Sequence, residues 1–251
     1  MTSDPRRTVL VAGALGGLAS QVVTEVIEEG HSVVACDRLD APSGDWTRSV
    51  AGSAADRLRF HQVDATDEDA VTAFADELRA EGVHVDAVVN TVGMQHISDV
   101  AELKTKYWRR VLSVNLDSTF FLTRAFITPM REAKWGRIVT FASVYAYQPT
   151  FGQAAYAAAK AGVIGFTRSV ALDAAVDGVT INAVAPAVVW HERLSGALPD
   201  EHWQQLRERI PQGEFGDPRH VAATVRYLLS EGGGHTTGQT IHVNGGMYPG
   251  G

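Results

Sequence analysis

The sequence predicts an α/β fold with a parallel sheet covered by helices on both faces, on three observations. Short β-branched runs alternate with longer segments of helical period; the runs are apolar on both faces; and the first ends in a glycine turn that opens a helix. Seven strands are read at Thr8 to Ala12, Ser32 to Cys36, Leu58 to Val63, Ala87 to Asn90, Arg137 to Ala142, Thr180 to Val184 and Thr240 to Val243. Crossover helices are read at Gly17 to Glu29, Glu68 to Glu81, Tyr107 to Ala133, Ala155 to Ala175 and Pro218 to Ser230. Strand and helix in strict alternation give a doubly wound, seven-stranded sheet of Rossmann type. Asp67 reads as a helix cap, and Asp217-Pro218 puts proline in a first helical turn. The stretch from Val188 to Gln212 breaks the rhythm and is read as a mobile loop plus a short helix, acting as a substrate lid.

Length and composition bound the function. A chain of 251 residues suits one large domain and leaves no room for a separate substrate domain. A net charge of -7 with no basic cluster argues against nucleic acid and anionic lipid as partners. No run approaches the ~18 apolar residues of a membrane span, and the segment Met1 to Arg7 is polar, without a signal-peptide pattern. The lone Cys36 lies in an apolar strand and fits a reducing compartment, so a cytoplasmic protein is expected. No metal-ligating constellation is read.

Directly after the first strand comes Gly13-Ala14-Leu15-Gly16-Gly17-Leu18-Ala19. Glycine lets backbone N–H groups approach a pyrophosphate, and the helix that follows offers the same anion its positive end. A tight strand-to-helix turn needs glycine even without a ligand, so a second landmark matters. Asp37 supplies it, 24 residues after Gly13 at the end of the second strand, near the Rossmann spacing for a carboxylate on the adenosine ribose. Ionised, Asp37 accepts from ribose hydroxyls and repels a 2′-phosphate. NAD is therefore expected over NADP, with Arg38 next door offsetting part of the repulsion.

Tyr156 and Lys160 lie four residues apart in an alanine-rich helical segment, on one helix face. A free phenol titrates at ~10, and a lysine cation together with oxidised nicotinamide would favour the phenolate. The pair is expected to act as general acid and base.

On these residues the chain resembles the short-chain dehydrogenase/reductase family, in its compact single-domain branch, from Thr8 to Met247. Tyr156-x-x-x-Lys160 matches the family's Tyr-x-x-x-Lys, Ser143 falls thirteen positions before the tyrosine, and Asn115 matches the helix-borne asparagine. The glycine turn matches with Ala12 and Ala19 replacing a threonine and a glycine. The resemblance implies that Tyr156 exchanges a proton with the substrate oxygen while hydride passes between a carbinol carbon and nicotinamide. Ser143 would bind that oxygen, Lys160 the nicotinamide ribose, and Asn115 a water linking Lys160 to solvent. It further implies that Asp64, with Ala65, contacts adenine, that Asn90-Thr-Val-Gly93 lines the cofactor floor, and that Pro186, Val188 and Val189 border the nicotinamide. His191 stands where the family has a threonine; either it takes over that contact or the lid begins differently. Gln95, His96, Tyr145, Gln148 and Trp190, with His191, are expected to edge the substrate cleft, suiting a medium-sized apolar or ring-bearing alcohol or ketone. Relatives imply a homotetramer built through the helices of Asn115 and Tyr156. A 3-oxoacyl-thioester ketoreductase and a cofactor-binding protein without turnover remain as alternatives.

Overall fold

The computed structural model describes residues 5–40, 44–191, 194 and 199–250. Seven strands, β1 (Thr8–Ala12), β2 (Ser32–Asp37), β3 (Leu58–Gln62), β4 (Ala87–Asn90), β5 (Gly136–Phe141), β6 (Val179–Pro186) and β7 (Thr240–Val243), form one sheet in the order β3-β2-β1-β4-β5-β6-β7. Every pairing is parallel. The expected α/β doubly wound architecture is the one observed. Strand order reverses between β1 and β4, and a crevice must open there at the carboxyl ends of the strands.

The two-residue period of β1 sorts the core into two layers. Val9 and Val11 pack with Val22, Val23 and Val26 of α1 (Gly17–Glu28) and with Val221, Val225 and Leu228 of α8 (Pro218–Leu229). Leu10 and Ala12 face the other way, in a layer with Phe74 and Leu78 of α3 (Glu68–Ala80) and with Leu122, Phe126 and Met130 of α5 (Ser118–Glu132). Each fully buried Val or Leu stabilises by ~1.5–3 kcal/mol, so β1 anchors both layers.

The sequence expectations differ from the structure at two places. The segment Tyr107 to Ala133 is not one helix: α4 (Thr105–Leu112) passes through a π turn, Ser113–Asp117, into α5. The Asn115 side chain enters the ladder, its Nδ2 donating to the Val111 carbonyl at 2.9 Å, while Ser118 and Thr119 hydroxyls bond the carbonyls of Val114 and Asn115. The helix α2 (Gly44–Ala51) went unpredicted because its apolar residues are few; it is held by Trp46, whose indole N–H donates to Ser20 Oγ at 2.9 Å. Within the expected lid lies α7 (Asp200–Glu208), while residues 192–193 and 195–198 of that stretch lie outside the described residues.

Both expected caps form. Asp67 accepts from the amides of Asp69 and Ala70, and Asp217 makes a capping box with His220 ahead of Pro218. The side-chain hydrogen bond from Arg219, the Arg219 amide and nearby positive charge bring the Asp217 carboxyl down to about 2 from 3.8. A depressed folded-state pKa means the contribution is full above the unfolded value and fades as pH falls from about 4 to about 2. Asp217→Ala is expected to lower urea-measured stability by ~1 kcal/mol at neutral pH, with the difference shrinking as pH falls below ~4.

Candidate active site

The site is built outward from the end of β1. The amides of Gly13 and Ala14 both donate to the Cys36 carbonyl, at 2.8 and 3.1 Å, which folds the turn against β2. Gly13 has φ of +76°, and a Cβ there would lie 2.9 Å from Thr91 Oγ1 and 3.2 Å from the Val92 nitrogen, so only glycine fits. Thr91 donates its hydroxyl to the Ala12 carbonyl at 2.7 Å, tying the turn to the loop after β4. Helix α1 starts with Gly16 as its cap, with no side chain covering its first amides. Uncapped amides at the positive end of a twelve-residue helix make a seat for an anion.

On one side of the turn lies a cavity of about 430 Å³, lined by Gly13, Leu15, Gly16, Asp37, Asp64, Ala65 and Gly93 among others. Asp37 accepts from the Leu15 amide through Oδ2 and from the Leu39 amide through Oδ1, each at 3.1 Å, so its carboxylate is fixed at the cavity wall. Burial pushes Asp64 upward, but hydrogen bonds from the Thr66 hydroxyl (2.7 Å) and amide (2.9 Å), with Arg110 and Arg38 nearby, leave its carboxyl below the usual range.

On the other side, and sharing Thr91, Gly93 and Met94 with the first, is a pocket of about 390 Å³ that gathers Leu18, Gln95, Ser143, Tyr156, Lys160, Pro186, Val189 and His191. Ser143 caps a 3-10 turn after β5, its Oγ accepting from the Tyr145 amide at 3.2 Å. Tyr156 and Lys160 come from α6 (Ala154–Ala174). Lys160 is 3% exposed and donates to the Phe141 carbonyl at 2.7 Å; its Nζ is 5.7 Å from the Tyr156 ring centre. Burial lowers Lys160 to about 7. Burial also drives Tyr156 up to about 12, against the pull of its hydrogen bond with Ser143. Among the chain's own groups desolvation is the largest influence on the phenol and Tyr145 adds to it, so the downward tuning expected from the sequence is left to a lysine cation together with oxidised nicotinamide.

A family model described as enoyl-(acyl carrier protein) reductase matches residues 13–248. Across 245 residues the chain is 33% identical to an acetoacetyl-CoA reductase of Acinetobacter sp. (strain RA3849), covering 97% of this chain and 98% of that one. It is 34% identical to a 3-oxoacyl-[acyl-carrier-protein] reductase of Vibrio cholerae over 242 residues, covering 96% and 97%. The chain belongs to the short-chain dehydrogenase/reductase family. Its fold is shared with the solved structure of ElxO with NADP bound, at a TM-score of 0.90 and 24% identity, with 97% of this chain and 99% of that one covered.

Within this short-chain dehydrogenase/reductase several expected site residues stand apart from the cavities. Asn90 is 3% exposed and braces the scaffold: Nδ2 donates to Thr119 Oγ1 at 3.0 Å, and Oδ1 accepts from the Val92 amide at 3.0 Å. It supports the floor from beneath. Asn115 lies behind Gly93, where a Cβ would be 3.2 Å from its Oδ1 and 3.7 Å from Lys160 Nζ. Its Nδ2 also donates to the Met94 carbonyl at 2.8 Å, and its buried Oδ1 accepts no hydrogen bond among the described residues. Val188 lines neither cavity; its carbonyl accepts from the Gly216 amide at 2.9 Å. Gly17 lies under His191.

Of the expected substrate-lining set, Gln95 and His191 border the pocket of Ser143, Tyr156 and Lys160. His96 stacks on Tyr107 at 4.2 Å between ring centres. Trp190 turns away and packs on Phe215 (5.8 Å) and Trp203 (5.3 Å) in a small aromatic cluster. Tyr145 packs beside Val144 and Ile210, and Gln148 is exposed. Sequence reasoning missed Thr66, Arg110 and Leu194, all of which border the cavities; Arg110 donates to Thr66 Oγ1 at 3.1 Å across 44 residues. No spacing rule carries such a contact. Among the described residues no helix is long and apolar enough to cross a membrane.

Gly13→Ala must strain the backbone and push on Thr91 at once. It is expected to keep its circular-dichroism spectrum while its dissociation constant for NADH, read by fluorescence titration, rises by roughly tenfold or more.

Proposed function

We propose that this protein is an NAD(H)-dependent oxidoreductase interconverting a secondary alcohol and a ketone, with Tyr156 as general acid and base. The observation that carries the proposal is the common pocket of Ser143, Tyr156 and Lys160, opening beside Leu18 and Gly93 at the mouth of the glycine turn. The nicotinamide ring supplies or accepts the hydride. With its phenol held protonated, Tyr156 gives its proton to the carbonyl oxygen in reduction and takes one back in oxidation. Ser143, hydrogen-bonded to that phenol, holds the same substrate oxygen. Lys160, anchored on Phe141, presents its amine to a ribose and biases the phenol. The unused Oδ1 of Asn115 supports a role in holding a water that refills Lys160 with protons.

Asp37 supports NAD over NADP, since a 2′-phosphate beside its fixed carboxylate would meet a like charge. The 3-oxoacyl-thioester ketoreductase reading stands second, favoured by the relatives of that name. A homotetramer in the cytoplasm is part of the same proposal; exposed Phe120 on α5, Leu172 on α6 and Val176 in the turn after α6 offer apolar surface for association.

Tyr156→Phe should bind NADH as the native protein does and lose turnover by ~100-fold or more in a screen of ketones and alcohols followed by NADH absorbance. Retained turnover sinks the assignment of Tyr156. Asp37→Ser is expected to shift the ratio of kcat/KM for NADH over NADPH toward NADPH by roughly tenfold or more, about 1.4 kcal/mol. A native protein that already prefers NADPH overturns the cofactor choice and favours the thioester reading.

A further inference from the structure

Two phenols flank Ser143. Its Oγ accepts from the Tyr145 amide at 3.2 Å, and its hydroxyl is hydrogen-bonded to the phenol of Tyr156. The half-buried Tyr145 ring packs against the cluster of Val144, Ile210 and Met247. Ile210 directly follows Arg209, the residue that caps the carboxyl end of α7, so the same packing brings Arg209 to the edge of the site. The three groups sense one another's charge. Burial pushes the Tyr145 phenol up and the Arg209 cation draws it partly back, while Tyr145 in turn opposes ionisation of Tyr156. Charges act on each other in this way only at short range. Among the described residues the Tyr145 hydroxyl makes no hydrogen bond and the exposed Arg209 side chain forms no ion pair. A donor and a cation thus stand next to the acid of the site with no partner of their own.

We propose that Tyr145 and Arg209 hold a carboxylate of the substrate, so that the ketone handled by this protein is an oxo acid; the proposal rests on the reaction proposed above. Ser143 and Tyr156 take the carbonyl oxygen, while the Tyr145 hydroxyl and the Arg209 guanidinium donate to the far end of the same molecule. Together they offer donors to both oxygens of a carboxylate and balance its single charge. A phosphate would bring more negative charge than one guanidinium offsets, with Glu208 and Glu214 close in the chain adding to the repulsion. A purely apolar ketone would leave both donors to water.

The test is steady-state turnover by the full chain, with NADH and NADPH in parallel, of acetoacetate, levulinate, their methyl esters and methyl propyl ketone. The native protein is expected to favour at least one acid over its ester and over methyl propyl ketone by about tenfold or more in kcat/KM. Tyr145→Phe and Arg209→Gln should each cut the ratio of acid to methyl propyl ketone by about tenfold. A ratio is read because it survives a general loss of activity or of folded protein. Native turnover of methyl propyl ketone with no preference for either acid overturns the inference and leaves the proposed function intact. A ratio that either variant leaves unmoved also overturns it: an equal loss on every ketone makes Tyr145 a positioning residue for Tyr156, and no loss makes it packing. Absence of turnover with every ketone and both cofactors removes the proposed function as well, an outcome distinct from the others.

Discussion

The constraint on which the site depends is the single carbonyl of Cys36 accepting two consecutive amides, Gly13 and Ala14. That fork bends the chain sharply off β1, at the position where strand order reverses, and it requires Gly13 to take a positive φ with Thr91 pressed against it. Everything nearby is then set by rigid neighbours: β1 is clamped between two core layers, and α1 leaves the turn with its amides uncovered. A thiol at Cys36 suits this position because burial pushes it up to about 12, leaving it neutral and unreactive beneath the turn.

Burial acts on the catalytic pair in opposite chemical directions with one outcome. It raises the phenol of Tyr156 and lowers the amine of Lys160, so both are pushed toward their neutral forms. Lys160 nevertheless keeps a donor role, because its Nζ is bound to a carbonyl of β5, and Ser143 opposes the desolvation of Tyr156. A neutral phenol beside a hydroxyl is an acid in waiting, whereas acting as a base demands added positive charge near the ring. In the proposed reaction the neutral phenol is the form that gives a proton to a carbonyl oxygen.

Strands and main helices were legible because their signals are local. β1 and β4 match their expected bounds, and the Tyr156–Lys160 pairing follows from helical spacing alone. What was illegible depends on contacts between distant segments. The chain Arg110–Thr66–Asp64 spans 46 residues, and the inward or outward sense of Trp190 is decided by Phe215, 25 residues away. Asn90 shows the limit within a motif: its place at the end of β4 was evident, but three partners decide that it braces rather than lines the cleft.

The π turn carrying Asn115 joins the scaffold to the chemistry. Where α4 passes into α5 through the π turn, the Asn115 side chain donates to the Val111 carbonyl, and the hydroxyls of Ser118 and Thr119 donate to the carbonyls of Val114 and Asn115. Asn90 grips that same Thr119 from β4. One buried network therefore sets the position of Asn115, the height of the floor at Gly93 and, through it, the space next to Lys160. The side chains of Asn115, Ser118 and Thr119 bond helix carbonyls around this irregularity, and among the described residues Asn115 Oδ1, which with Lys160 Nζ borders the space at Gly93, accepts no hydrogen bond.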